Sequence, residues 1–331
     1  MNAGSVFLES YLDPLRPFLI RADVTDIYVQ RPGEVWIECV TGVTERHSIK
    51  ALDDATLWRL SRQVAALTHQ GVSRAHPILS ASLPDGARIQ IVVPPATRGD
   101  IALAIRKHVL SDMSLADYAQ QGAFTFTHVG SQPDDATKTA LVEQLERHDL
   151  AGFLRDAVRA RCNILISGGT SSGKTTFLNA LIKEIPSTER LILIEDTAEL
   201  QIHHPNAVGL VAAKSDLGEA QVTIDDLLQA SLRMRPDRIL QGELRGKEAY
   251  SFLRAVNTGH PGSMTTIHAD SPTGAVEQLC LMVLQAGTEL TYDAIRRYVE
   301  RVIDIFIHLD RRAGKREVRA VTFRGYTTSQ S

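Results

Sequence analysis

The sequence predicts an α/β protein in two parts, a smaller α+β region followed by a larger region built on a mostly parallel, helix-covered sheet. Three observations predict it. The first third alternates short β-like runs with one clear helix, whereas the second half alternates continuous apolar runs with helical patterns. The chain of 331 residues also exceeds the size at which a single hydrophobic core stops growing. An apolar content of 44% beside 23% charged residues supplies material for sizeable cores.

In the first part, residues 26–30 and 34–38 flank Arg31-Pro32-Gly33, which is turn chemistry between two alternating strands and predicts a hairpin. Asp53-Asp54 offers an N-cap to a helix over 55–69, where Leu57, Leu60, Val64 and Leu67 recur at helical spacing before Gly71. β-like runs follow at 78–80, 88–93 and 101–106. From Ser111 the pattern weakens, and Ser131-Gln132-Pro133-Asp134-Asp135 reads as a connector. The expected division is an N-terminal domain over 1–120, a linker over 121–148 and a C-terminal domain over 149–331. Residues 149–158 read as a helix leading into the next strand. Near the end, runs at 302–309 and 317–323 flank Arg311-Arg312-Ala313-Gly314-Lys315-Arg316, a hairpin with a basic tip. Such a tip is a solvated loop or, alternatively, a contact for acidic lipid or nucleic acid.

The formal net charge of −3 excludes a protein whose whole surface grips nucleic acid, and no sequence-specific nucleic-acid partner is expected. Cys39, Cys162 and Cys280 are scattered, with no C-x-x-C pair to suggest zinc or a disulfide framework, so a reducing cytosol is the simplest home. The N-terminus lacks a basic stretch before a long apolar run, so no secretory signal is expected. No segment is apolar for long enough to span a bilayer, which leaves peripheral membrane association.

The most informative segment is Gly168-Gly169-Thr170-Ser171-Ser172-Gly173-Lys174-Thr175, which fits G-x-x-x-x-G-K-[ST]. It follows the apolar run Asn163-Ile164-Leu165-Ile166-Ser167 as a loop follows a strand, and the residues from Thr176 onward read as a helix. Glycines let backbone N–H groups curl around phosphate oxygens, Lys174 reaches the outer phosphates and the Thr175 hydroxyl is placed to hold Mg²⁺. The dipole of the following helix favours the same anion. ATP with Mg²⁺ is the expected ligand.

Downstream, Leu191-Ile192-Leu193-Ile194 ends in Glu195-Asp196, and carboxylates at the C-terminal edge of such a sheet sit where open α/β folds bind ligands. Glu195 can polarise water or hold Mg²⁺ through a water, with Asp196 in support; capping a loop is the alternative. A second strand, Arg238-Ile239-Leu240-Gln241, runs into Gly242-Glu243, which stands where phosphate-loop enzymes usually carry the Mg²⁺-side aspartate. Glu243 is therefore the leading catalytic carboxylate and a candidate for the metal shell. His260 and His268 bracket a Gly-turn and a short β-like run, and His268 emerges at the next strand end, where a neutral imidazole can donate to a γ-phosphate.

Taken together in this order, Ile194-Glu195-Asp196, Arg233-Met234-Arg235-Pro236-Asp237, Gly242-Glu243-Leu244-Arg245-Gly246 and the stretch from Thr258-Gly259-His260 to His268 resemble the secretion-ATPase superfamily. That superfamily carries a Walker A loop, an aspartate box, a Gly-Glu form of Walker B and a histidine box. Leu83-Pro84-Asp85-Gly86-Ala87-Arg88-Ile89-Gln90 and Ile105-Arg106-Lys107 look like its N-domain segments whose arginines approach nucleotide. Arg31-Pro32-Gly33-Glu34-Val35, Asp117-Tyr118-Ala119-Gln120-Gln121-Gly122 and the long linker are similar to the VirB-type traffic ATPases of bacterial type IV secretion. The four-cysteine zinc element usual in type II secretion ATPases is missing from the sequence; pilus ATPases are the closer competitor.

The resemblance implies a RecA-like C-terminal domain and a homohexamer on the cytosolic side of the inner membrane, engaging secretion-channel and coupling proteins. It further implies that Arg88 and Arg106 from the N-domain, or Arg233, Arg235 and Arg245 from the motor, complete the charge around the γ-phosphate. Two rivals from other classes stay open, a nucleotide-gated docking scaffold with slow turnover and a small-molecule kinase. The kinase would need a lid and an acceptor pocket, which the sequence does not suggest.

Overall fold

The computed structural model describes residues 3–108, 114–120, 122–125, 136–214, 219–312, 314–324 and 326. Short helices α1 (Ala3–Leu12) and α2 (Arg16–Leu19) lead into the hairpin expected around Arg31-Pro32-Gly33, formed by β1 (Val24–Val29) and β2 (Glu34–Cys39), with β3 (Thr44–Ser48) added to it. Helix α3 (Asp54–Leu67) starts where Asp53 accepts a hydrogen bond from the Thr56 N–H. It is followed by β4 (Ile78–Ser82), β5 (Arg88–Val92) and β6 (Ala102–Arg106). The six strands form one antiparallel sheet in the order β3-β2-β1-β6-β5-β4.

Both faces of that sheet are apolar, and the alternation of side chains sends them to different cores. Ile27 and Val29 of β1, with Leu103 and Ile105 of β6, join Leu8, Leu57, Leu60 and Val64 of α1 and α3. Tyr28, Ala102 and Ala104 point the other way and share a core with Ile192, Ile194, Val208 and Leu210 of the C-terminal half. The central strands β1 and β6 are therefore buried on both sides.

The expected connector is described only in part. Leu115–Gln120 forms α4, residues 111–113, 121 and 126–135 lie outside the described residues, and Ala136–Glu146 forms α5. Leu141 of α5 is buried in the same core as Phe153, Ala157 and Val158 of α6 (Leu150–Arg159), which Asp149 caps through the Gly152 N–H. Residues assigned to the linker thus include a helix packed onto the C-terminal half.

The short pair β10 (Ala213–Lys214) and β11 (Gln221–Val222) stands by itself, and the second large sheet contains β7 (Ile164–Gly168), β8 (Leu191–Glu195), β9 (Ala207–Val211), β12 (Arg238–Leu244), β13 (Met264–His268), β14 (Ile305–Arg312) and β15 (Lys315–Phe323). Its order is β15-β14-β7-β13-β12-β8-β9, parallel throughout except for the antiparallel β15. Helices α6 and α7 (Lys174–Ile182) cover one face. The other is covered by α8 (Ile224–Leu232), α9 (Glu248–Asn257), α10 (Pro272–Gln285) and α11 (Tyr292–Val302). The strands of the terminal hairpin run into the basic segment, with Arg311 opposite Arg316 and Arg312 opposite Lys315. Among the described residues no helix is long and apolar enough to cross a membrane.

Candidate active site

Because the strands are parallel, Gly168, Glu195, Glu243 and His268 all emerge at one edge of the sheet. There a cavity of about 520 Å³ is lined by the loop Gly169-Thr170-Ser171-Ser172-Gly173, by Lys174, Thr175 and Thr176, and by Glu195, Asp196, Glu199, Glu243, Arg245, His268 and Arg316. Gly173 has φ +94°, a conformation that side-chain-bearing residues rarely adopt, and it turns the loop into α7. The first-turn N–H groups of α7 have no partner within the helix and face this cavity as donors. Lys174 Nζ donates to the Gly168 carbonyl at 2.9 Å and stands 3.6 Å from the Glu243 carboxylate. The Thr175 hydroxyl donates to Glu199 at 3.1 Å.

Glu243 owes its position to an irregularity. The registers of β12 against β13 shift between Gln241 and Leu244, and the pairing with β8 ends at Gln241. Gly242-Glu243 thus leaves the ladder, which re-aims the side chain as a bulge does. Its carboxylate accepts from Arg245 Nε at 2.6 Å, and Arg245 bridges onward to Asp196. These interactions hold the Arg245 guanidinium above its usual pKa, the hydrogen bond to Glu243 contributing most. Glu195 is 2% exposed; one oxygen accepts the N–H groups of Glu199 at 2.9 Å and Leu200 at 2.7 Å. The other oxygen pairs with Arg98, an arginine of the N-terminal half. Such a site offers donors for a polyphosphate, oxygen donors for a hard cation and carboxylates able to orient a water.

The profile of the family described as "Type II/IV secretion system protein" matches residues 10–313. The chain belongs to that family. It is 43% identical over 305 residues to the type IV secretion system protein VirB11 of Brucella suis, covering 90% of this chain and 84% of that one. With the type IV secretion system protein PtlH homolog of Bordetella bronchiseptica the identity is 39% over 313 residues, covering 93% and 91%. A solved structure described as the VirB11 ATPase from the Brucella suis type IV secretion system in complex with sulphate matches with a TM-score of 0.90 at 40% identity, over 96% of this chain and 97% of that one. The resemblance drawn from the ordered motifs therefore holds.

For this secretion-family chain, several residues expected at the site lie elsewhere. His260 sits before β13, at the opposite edge of the sheet from His268, and bonds the Ala255 carbonyl at 2.9 Å. Strand β13, which ends in His268 and rises ~3.3 Å per residue, keeps the two histidines apart, so the structure does not bring His260 to the cavity. Arg88, Arg106 and Arg233 line a separate cavity of about 670 Å³ with Thr68, Gln70 and Ser80. Arg235 pairs with Glu38 at 2.8 Å, between the two halves. None of these four reaches the phosphate loop of its own chain, because β5 and β6 present the first two away from it.

Two arginines at the site escaped sequence reading. Arg98 follows a Pro-rich turn and carries no motif. Arg316 was read only as part of a basic tip, yet its aliphatic stem lies against the phosphate loop: a Cβ on Gly173 would come within 2.9 Å of Arg316 Cδ. The signal for Arg316 was the placement of β14 beside β7, which only the strand order reveals.

Proposed function

We propose that this chain is a Mg²⁺-dependent ATP hydrolase that energises type IV secretion, in pilus assembly, substrate translocation or both. The observation that carries this reading is one cavity joining a complete phosphate loop, Lys174 beside Glu243, Glu195 and His268, in a chain of the type II/IV secretion family. Loop N–H groups and Lys174 bind the phosphates, Glu243 with Glu195 orients and activates the attacking water, and His268 senses the γ-phosphate. Arg245 stands at the cavity to neutralise developing charge.

The donor chemistry fits Mg²⁺. Thr175, Asp196 and Glu243 offer oxygen only, and among the described residues no three His, Cys, Asp or Glu side chains gather into a metal cage. Magnesium characteristically keeps waters and relies on substrate phosphates with one or two protein ligands. Held there by Thr175, Asp196 and Glu243, it would supply positive charge to neutralise the phosphates.

The division into an N-terminal domain over 1–120, a linker over 121–148 and a RecA-like domain from 149 belongs to the same proposal, supported by the two separate sheets. So does a homohexamer on the cytosolic face of the inner membrane, in contact with channel and coupling proteins. Arg88, Arg106 and Arg233 support it, since they line a cavity remote from their own phosphate loop, a placement suited to a neighbour's, with Arg106 3.4 Å from Asp26. Lys174→Ala in the full chain is expected to reduce Mg-ATP hydrolysis by about 10³-fold or more, read by phosphate release. Undiminished hydrolysis would overturn the reading. Light scattering on the eluting protein, with and without ATP, tests the ring, and a strict monomer would refute it.

A further inference from the structure

The segment between β5 and β6 leaves the N-terminal sheet and lies along β9, the edge strand of the C-terminal sheet. The Val211 N–H donates to the Ala96 carbonyl at 3.0 Å, the Arg98 N–H donates to the Gly209 carbonyl at 3.1 Å, and Thr97 bridges Leu210. This backbone clip carries the Arg98 side chain across β9 to Glu195, at the end of the neighbouring strand β8. Gly209 permits the crossing. A Cβ there would lie 2.5 Å from Arg98 Cδ and 2.7 Å from its Nε, while the Gly209 backbone lies outside the left-handed region, so clearance rather than turning explains the glycine.

Glu195 needs a cation. Its carboxylate is almost wholly buried and shares the cavity with Asp196, Glu199 and Glu243. Lys174 stands beside Glu243, and Arg245 bridges Glu243 and Asp196. Arg98 alone among the described cations pairs with Glu195, and its Nη1 is anchored on the Leu200 carbonyl at 2.7 Å. The Leu200 N–H donates in turn to Glu195. The guanidinium, the loop after β8 and the carboxylate form one closed arrangement in which each fixes the others.

We propose that Arg98 is a positioning residue for Glu195. The N-terminal half thereby lends the C-terminal sheet the cation that aims one of its water-activating carboxylates, and the aim is held only while residues 96–98 are docked on β9. The inference rests on the role given to Glu195 above. It differs from a charge-completing arginine because Arg98 faces the carboxylate rather than the phosphate loop.

The test uses the full chain and four variants, Arg98→Ala, Arg98→Lys, Gly209→Ala and Glu195→Gln. Arg98→Ala and Gly209→Ala are expected to lower kcat by about 10- to 100-fold with KM for ATP within about twofold of wild type, as a misplaced catalytic group does. Arg98→Lys is expected to recover part of the loss, and Arg98→Ala to add little in the Glu195→Gln background. A second readout needs no nucleotide: hydrogen exchange of the amides of Glu199 and Leu200 is expected to quicken in Arg98→Ala and Gly209→Ala, with residues 168–176 unchanged. Wild-type kcat and wild-type exchange in both variants, with Glu195→Gln inactive, would overturn the positioning role alone. Full activity in Glu195→Gln would instead remove the assignment on which it stands.

Discussion

The two edges of the C-terminal sheet both collect buried charge, and they use it differently. At the edge where the strands begin, Arg238 is fully buried and makes a two-pronged pair with Glu189, both contacts at 2.7 Å, while donating to the Val158 carbonyl. Arg190, next to it, donates to Gln30, Asn206 and the Met234 carbonyl and lies 4.0 Å above the Tyr28 ring; burial pushes its pKa down to about 10. Asp304 accepts the Asn163 N–H at 2.8 Å and pairs with Arg324. Arg238 and Asp304 have partners of opposite charge inside the fold, and Arg190 is held by neutral acceptors from neighbouring elements. At the edge where the strands end, Glu195, Asp196, Glu199 and Glu243 gather with Lys174, Arg245 and Arg316 around an open cavity, and an α-helix start faces it with unsatisfied donors. One edge closes its electrostatics within the chain, and the other leaves open donors and carboxylates that fit the polyphosphate and metal of the proposed function. The difference assigns structure to one edge and chemistry to the other.

The largest effect expected from this contrast is at the closed edge. Glu189→Ala leaves Arg238 buried beside an empty position and exposes Arg161 to the loss of its contact at 3.1 Å. Breaking a buried pair from one side costs about 3–5 kcal/mol, so the urea midpoint should fall sharply while kcat per folded molecule stays near wild type. A wild-type midpoint, or a lost kcat in fully folded protein, would break the contrast.

Next comes Glu243→Gln, at the open edge. The amide keeps the size of the side chain and its bond from Arg245 while removing a charge and a proton acceptor. Turnover is expected to fall by about 10²–10⁴-fold with nucleotide still bound and the unfolding midpoint hardly moved. Titration with a fluorescent ATP analogue and phosphate release check the two halves of that statement. If stability drops and turnover does not, the open edge is structural after all.

How far these edges could be read from sequence depends on what each residue's position requires. The phosphate loop, Glu195 and Glu243 were legible because their context is local: an apolar strand, then glycines or a carboxylate at its end. The hairpin over Arg31-Pro32-Gly33 and helix α3 with its Asp53 cap were legible for the same reason. His268 is legible at its strand end by the same logic, whereas His260, also expected at the nucleotide, lies at the opposite edge because strand β13 separates the two. Arg98 depends on an antiparallel bridge between Thr97 and Leu210, 113 positions apart in the chain (210 − 97), and no local pattern encodes it. Tyr28 and Ala104 were equally opaque, since burial of the second face of the N-terminal sheet follows from docking against the other half.

Arg316 sharpens the contrast with the smallest effect. It reaches the open edge from β15, its stem against Gly173, and its charge faces the cavity mouth rather than an acid of the fold. No ion pair joins it to a carboxylate among the described residues, unlike Arg312, which pairs with Asp310 on the same hairpin. A guanidinium so placed adds attraction for an anion at the cavity mouth without pairing with Glu195 or Glu243. Arg316→Ala should therefore raise KM for ATP by about 3- to 10-fold, roughly 1 kcal/mol of binding, and leave kcat within about twofold. Arg312→Ala, on the same strand pair but held by Asp310, should change neither. Equal effects from the two substitutions would mean that the basic hairpin acts through its overall charge, whereas a fall in kcat for Arg316→Ala would move this residue from binding the phosphates to the chemistry itself.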